Sequence, residues 1–119
     1  MRILYISYDG VTDHIGRSQV APYLIELARL GYSISLVSAE KRDRDALVAD
    51  YAELFRGHGI EWRFVRYRRR PPLFAQAATI LLLYRLARTM MRSGDFAVVH
   101  CRDLFPTSIG YRLKRRFGV

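Results

Sequence analysis

Apolar and polar residues alternate along the chain in blocks that predict four strands, each followed by a helix. Short runs of β-favouring residues mark the strands, at residues 2–7, 34–38, 61–67 and 96–100. Apolar residues at helical spacing mark the helices, at residues 18–31, 43–57, 73–92 and 106–117. Gly31, Gly57 and Gly94 stand where helices commonly end, and Pro22 fits only a first helical turn.

This order of strands and helices is typical of a parallel sheet with helices on both faces. Right-handed crossovers then favour a doubly wound, Rossmann-like three-layer sandwich of the α/β class. Strand one, RILYIS, is apolar enough to be buried on both faces, so we expect it at the centre of a sheet with strand order 3-2-1-4. Since 119 residues suffice for one core, residues 1–119 are expected to form one domain.

Composition narrows the class of protein. Half of the residues are apolar, which is typical of a folded core rather than of disorder. The single cysteine, Cys101, has no partner for an internal disulfide and belongs to no zinc-binding spacing, and the first residues lack the pattern of a secretory leader. The longest uncharged run, residues 71–84, is shorter than the roughly 20 residues of a bilayer-spanning helix. We therefore expect a cytoplasmic protein.

The charge is strongly positive. Lysine and arginine number 20 against 11 aspartate and glutamate, a formal net charge of +9 that favours anionic partners. No RNA-binding signature accompanies it, so nucleic acid is not an expected partner. Two basic clusters stand out, Arg63, Arg66 and Arg68 to Arg70, and then Arg112 and Lys114 to Arg116. Such runs are ordinarily solvated surface, but the first adjoins the apolar helix at residues 73–92, which predicts as the alternative a basic surface half-submerged in a membrane.

Candidate chemistry lies where strands end, because ligands of doubly wound sheets bind outside the carboxyl ends of the strands. After strand one, Gly16 is followed by Arg17 and Ser18 at the start of helix one. A glycine there admits close approach of a ligand, and amide groups at a helix start favour a phosphate. The alternative is that Gly16 is a turn glycine and Ser18 a helix cap.

After strand four, His100, Arg102 and Asp103 come together ahead of the last helix. In that position the histidine would orient a sugar hydroxyl or the departing phosphate, the arginine would pair with phosphate, and the aspartate would accept bonds from hydroxyl groups. The alternative is a histidine satisfied by the backbone beside a solvated Arg102–Asp103 pair.

Three segments resemble the amino-terminal domain of family-4 retaining glycosyltransferases of the GT-B fold, over essentially the whole chain. They are MRILYIS, IGRSQVAPYLIELARLGYSISLVS and DFAVVHCRDLFPTSIGYRLKRRFGV. The second is similar to the glycine loop, helix and following strand that open the family's domain, and the third to its strand-four histidine motif. The resemblance makes this chain a truncated GT-B amino-terminal domain, expected to be inactive alone.

What the resemblance implies is transfer of a sugar from a nucleotide-sugar donor to a sugar or lipid-linked acceptor, with retention at the anomeric carbon. It implies no cofactor and no metal. This domain would supply the acceptor side of the cleft, and a carboxy-terminal donor domain would hold the nucleotide. By position, Gly16, Arg17 and Ser18 would face the donor phosphates, and His100 falls on the first histidine of the strand-four motif. Arg102 stands where many members have a second histidine.

Two other classes of function compete with this interpretation. The first is a non-catalytic binding or membrane-docking module that acts with a separate donor-domain partner, located at the inner face of the membrane as a peripheral protein. The second is a receiver-like regulatory domain, which the sequence disfavours. A receiver needs a phosphorylatable aspartate at the end of strand three, and arginines stand there instead.

Overall fold

The computed structural model describes residues 2–67, 72–102 and 104–119. Its strands are β1 Arg2–Ser7, β2 Ser33–Glu40, β3 Glu61–Arg66 and β4 Val98–Arg102. Its α-helices are α1 Ala21–Arg29, α2 Asp45–Gly57, α3 Pro72–Ser93 and α4 Leu104–Phe117. Arg68, Arg69 and Arg70 of the predicted basic connection lie outside the described residues, as does Asp103.

The strands form one parallel sheet in the order β3-β2-β1-β4, which confirms the predicted fold class and strand order. In the register of the sheet, Ile3 of β1 lies beside Ile34 of β2 on one side and Val98 of β4 on the other. Five of the six β1 residues are buried, with no exposed surface at Leu4 and Ile6. The central strand is thus the most apolar one, as burial on both faces requires.

Helices cover both faces of the sheet, and alternate residues of each strand point into one or the other layer. Leu4 and Ile6 pack in a core that includes Leu83 and Met90 of α3 and Leu113 of α4. The core on the opposite face contains Ile3 and Tyr5 of β1 and Leu36 of β2. Leu24 of α1 and Phe55 of α2 pack against them. The architecture is the predicted three-layer sandwich.

Helix one begins differently from the prediction. A π-helical turn, Gly16–Val20, precedes α1, and the amide of Ala21 donates to the carbonyl of Gly16. Pro22 falls in the first turn of α1, as predicted. A proline has no N–H and its ring crowds the carbonyl four residues earlier, so the turn before it opens wider than an α-helix.

Strands two and four also end later than predicted. Strand β2 continues to Glu40 rather than residue 38, and β4 covers 98–102 rather than 96–100. Phe96, assigned to the strand by its apolar character, is buried just before it, with the Arg2 guanidinium carbon 4.4 Å from its ring centroid. The shift places both His100 and Arg102 within the last three residues of β4.

Candidate functional site

The order of the strands places a switch point of the sheet between β1 and β4. Connections from β1 lead to β2 and β3 on one side, whereas β4 lies on the other side of β1. The strand order therefore reverses at β1, and in doubly wound sheets such a switch point opens a crevice at the carboxyl ends of the strands. The loop after β1 and the end of β4 flank it, and these are the two segments that the sequence predicts to carry the site.

A buried carboxylate shapes the first half of that loop. Glu40, at the end of β2, has no exposed surface. Its oxygens accept hydrogen bonds from the amides of Val11 at 2.8 Å and Thr12 at 3.1 Å, and from the hydroxyls of Thr12 at 2.7 Å and Ser38 at 2.5 Å. Trp62 Nε1 donates to the Ser38 hydroxyl at 2.9 Å. A carboxylate removed from water requires such donors, so the network fixes the loop to β2.

This network also separates the site from that of a dinucleotide-binding enzyme. In those enzymes an acidic residue at the end of the second strand binds a ribose hydroxyl. Here the oxygens of Glu40 are engaged by Val11, Thr12 and Ser38. The Glu40 carboxylate at the end of β2 therefore binds the loop after β1 and is not available to a ribose.

Gly16 is buried, and the loop's own backbone accounts for its lack of a side chain. A Cβ atom at this position would lie 2.7 Å from Val11 Cα and would overlap the Gly10 carbonyl oxygen. The loop thus closes on itself across Gly16. Contact with the backbone of its own loop therefore explains why a glycine stands at this position. The predicted approach of a phosphate to Gly16 stays a prediction.

Arg17 and Ser18 are both exposed on the π-helical turn. The Ser18 hydroxyl lies 3.1 Å from the His14 carbonyl and 3.2 Å from that of Ile15, and it donates back along the chain. A helix cap would instead accept a bond from a following amide, so the alternative interpretation of Ser18 as a cap is wrong. Arg17 is exposed, and its amide donates a 2.9 Å hydrogen bond to the Asp13 carbonyl.

His100 lies on the α1 face of β4, half-buried among aromatic rings. Its ring centroid is 4.7 Å from that of Tyr5 and 5.8 Å from that of Tyr23. Burial lowers the pKa of the imidazole below its usual value of 6.5. The ring is therefore neutral at pH 7 and presents one hydrogen-bond acceptor and one donor.

Arg102 follows His100 by two residues and therefore faces the same layer. Its Nη2 donates to Gln19 Oε1 at 2.5 Å, which joins the end of β4 to the π-helical turn after β1. Its Nε is buried and has no hydrogen-bond partner within the described part of the chain. The bond to Gln19 uses one of the guanidinium N–H groups, and the terminal nitrogens carry others that can donate to an anion in the crevice.

The other half of the edge, over β2 and β3, is occupied by charges that pair with one another. Lys41 Nζ lies 3.3 Å from Asp13 Oδ1, and Arg66 Nη1 lies 3.0 Å from Asp45 Oδ1. Two tyrosines, Tyr8 and Tyr67, meet edge to face with centroids 5.5 Å apart, and burial together with their hydrogen bond raises the pKa of Tyr8. Ion pairs and the tyrosine pair therefore occupy the β2–β3 side of this edge.

The structure thus joins Arg102 through Gln19 to the turn that holds Gly16, Arg17 and Ser18, and His100 lies two residues before Arg102 on β4. Sequence reasoning missed Glu40, Thr12 and Gln19. A usable signal existed for Glu40, because a lone carboxylate continues the apolar run of β2 at a strand end. Within the ranges 2–67, 72–102 and 104–119, no cluster of three or more His, Cys, Asp or Glu side chains is placed to hold a metal ion.

Comparison of the chain with models of known families, with curated proteins and with solved structures finds no match. None of the helices in the described part of the chain is long and apolar enough to cross a membrane. Inference about function accordingly starts from the fold, the crevice and the side chains around it.

Proposed function

We propose that this domain forms the acceptor side of the cleft in a retaining glycosyltransferase, which moves a sugar from a nucleotide-sugar donor to a sugar or lipid-linked acceptor. The observation that supports this most is the meeting of two polar segments at the β1–β4 switch point, through the bond from Arg102 to Gln19. That is where a doubly wound sheet binds phosphate-bearing ligands.

In the proposed reaction each group beside the crevice has a role that its chemistry allows. Neutral His100 accepts a hydrogen bond from an acceptor hydroxyl and orients it. Arg102 compensates the negative charge that gathers on the departing nucleoside diphosphate, through guanidinium N–H groups that its bond to Gln19 does not use. Arg17 adds a second positive charge at the mouth of the crevice.

The donor is proposed to be held mainly by a second domain, so that the cleft closes between two sheets. On this proposal the protein works in the cytoplasm, and a lipid-linked acceptor would bring it to the inner face of the membrane. Residues 1–119 alone are expected to bind nucleotide-sugars weakly and to transfer none.

A second candidate is a non-catalytic module that docks on a membrane and acts with a separate donor-domain chain. A specific observation favours it, namely that Leu73 and Phe74 at the start of α3 are almost fully exposed.

The test is transfer by the product of the intact gene, supplied with a panel of UDP-, GDP-, ADP- and TDP-linked sugars and with free sugars and a lipid extract as acceptors. We expect one donor to release its nucleoside diphosphate and to yield a glycoside with the donor's anomeric configuration. Residues 1–119 expressed separately serve as the control and should yield none. Failure of every donor, or inversion at the anomeric carbon, would contradict the proposal.

A further inference from the structure

Strand β4 is packed into a core on only one of its faces in the described part of the chain. Val99 and Cys101 face the layer of α3 and α4 and pack against the core there. Val98, His100 and Arg102 alternate with them along the strand and face the layer of α1. None of these three belongs to the core on that face, and Val98 is 39% exposed. The α1 side of β4 is therefore only partly covered.

The beginning of helix one stands beside this face and contacts it twice. The Arg102 guanidinium donates to Gln19 on the π-helical turn, and the His100 ring centroid lies 5.8 Å from that of Tyr23 in the first turn of α1. Two residues of a strand span about 7 Å and four residues of a helix about 6 Å, so the two contacts lie side by side. We call this surface the β4 shelf, with Val98, His100 and Arg102 as its floor and Gln19 and Tyr23 as its wall.

Tyr23 leaves part of its aromatic ring uncovered on the β4 shelf. Its ring meets those of His100 and Tyr5 at interplanar angles of 67° and 55°, so it stacks face to face with neither. Tyr23 is 43% exposed, whereas Tyr5 is buried. A single exposed aromatic residue is ordinary on a protein surface, but this one adjoins the imidazole that the proposed reaction uses. The ring therefore offers a flat apolar surface next to His100.

His100 has hydrogen-bonding groups that the described residues do not use. Its ring contacts are the aromatic ones with Tyr5 and Tyr23, and neither ring nitrogen has a hydrogen-bond partner in that part of the chain. The neutral imidazole carries one N–H donor and one acceptor nitrogen. A ligand on the β4 shelf can therefore pack on Tyr23 and exchange hydrogen bonds with His100 at the same time.

The charge along the floor of the β4 shelf selects the kind of ligand. Val98 is apolar, His100 is neutral at pH 7, and the first positive charge of the floor is that of Arg102 at the carboxyl edge. An alkyl chain laid on this surface would cover the His100 nitrogens without giving them partners, which is costly. A sugar ring meets both requirements, because its C–H face is apolar and its rim carries hydroxyl groups.

We propose that the acceptor is a neutral sugar ring, a pyranose whose C–H face stacks on Tyr23 while one of its hydroxyls bonds to His100. This inference rests on the proposed function, for which it defines the acceptor class and adds Tyr23 as a binding residue. A free sugar and the sugar head of a glycolipid share this chemistry, and a lipid phosphate without a sugar does not.

The first measurement is binding in the absence of any donor, so it does not depend on transfer. Residues 1–119 are titrated with the methyl glycosides of glucose, galactose, mannose and N-acetylglucosamine up to about 20 mM, which covers millimolar dissociation constants. NMR follows the ring protons of the histidines. We expect at least one glycoside to shift the His100 signals, whereas those of His58, at the end of α2, stay unchanged.

Variants at Tyr23 test the stacking. Tyr23→Ser should weaken glycoside binding at least about 5-fold, because the sugar loses the aromatic surface on which it packs. Tyr23→Phe keeps the ring and should bind as the wild type does. The matched control is Tyr32→Ser, which removes a tyrosine of similar exposure, 39%, between α1 and β2 and should leave binding unchanged.

In the intact gene product the same variants separate the acceptor from the donor. Tyr23→Ser should raise KM for the glycoside acceptor at least about 5-fold and leave KM for the nucleotide-sugar unchanged. The acceptors compared are the methyl and octyl glycosides of the sugar that binds, and farnesyl phosphate. Both glycosides should be used and farnesyl phosphate should not. Equal rates with the two glycosides identify a free sugar as the acceptor, and a faster rate with the octyl glycoside identifies a glycolipid.

The inference is overturned if no glycoside shifts the His100 signals, or if Tyr23→Ser and Tyr32→Ser bind glycosides equally well. It is also overturned if the intact product transfers sugar to farnesyl phosphate and to no glycoside, a result that leaves the proposed function standing. Glycoside binding that depends on Tyr23, without transfer from any donor, would support the sugar site and contradict the proposed function alone.

Discussion

The Thr12 hydroxyl donates a 2.7 Å hydrogen bond to the carboxylate of Glu40, across 28 residues of sequence and with neither side chain exposed. This bond and the two amide bonds beside it hold the loop after β1 against the end of β2. The loop continues directly into the π-helical turn, which contacts Arg102. The buried carboxylate therefore sets the position of one wall of the crevice.

Replacing this carboxylate with an amide should destabilise the domain. In Glu40→Gln, one terminal atom becomes an N–H donor that faces the donors of Val11, Thr12 and Ser38. We expect a loss of about 2–3 kcal/mol in the free energy of unfolding, since buried donors are left unpaired. Urea unfolding measures it, with the exposed Glu53→Gln as the control. A change below about 0.5 kcal/mol in Glu40→Gln would mean that the network is not structural.

Gly16→Ala should lower stability as well. The added Cβ would overlap the Gly10 carbonyl oxygen and crowd Val11 Cα, which both belong to the backbone of the loop itself. We expect a loss of about 1–3 kcal/mol by overpacking. Gly57→Ala is the control, since a Cβ there meets nothing within 4 Å. The midpoint of thermal unfolding should be lower in Gly16→Ala than in Gly57→Ala. Equal midpoints would contradict the close approach of the loop backbone to Gly16.

The titration of His100 gives stability a dependence on pH. Burial lowers the pKa of the folded imidazole below its usual 6.5, so between these two pKa values the unfolded chain binds more protons than the folded one. The contribution of the neutral imidazole to the free energy of unfolding is present above pH 6.5. It is lost as the pH falls toward the pKa of His100 in the folded state. Stability between pH 7.5 and 5.5 should therefore fall more in the wild type than in His100→Gln. Equal slopes for the two proteins would contradict the burial of the ring.

The fold was predictable in outline because its causes are local and repetitive. Alternating strands and helices, together with the apolar RILYIS segment, were enough for the parallel order β3-β2-β1-β4. Strand ends were less predictable, since they depend on distant contacts. Glu40 stays in β2 because donors 28 and 29 residues earlier in the sequence satisfy its charge. Phe96 looks like a strand residue but packs before β4.

The candidate site was predictable by position and not by contact. His100 and Arg102 were recognisable at the end of a strand, and Gly16 at the start of a helix. The connection between Arg102 and the turn after β1 is made by Gln19. It depends on the π-helical turn that Pro22 induces, and no local sequence pattern predicts it. The contact of Gly16 with the backbone of its own loop was not predictable, because it depends on how the loop closes.

The central claim is that the crevice between β1 and β4 carries the function, and the most direct measurement is turnover of the intact gene product with Arg102 replaced by glutamine. We expect a fall in kcat of at least about 10-fold, because the charge of Arg102 is needed when the nucleoside diphosphate departs. The unfolding midpoint should change little, because the bond from Arg102 to Gln19 is exposed to solvent. Arg112→Gln, on the exposed side of α4, should leave kcat as in the wild type. Wild-type turnover in Arg102→Gln, or an equal loss in both variants, would contradict the account.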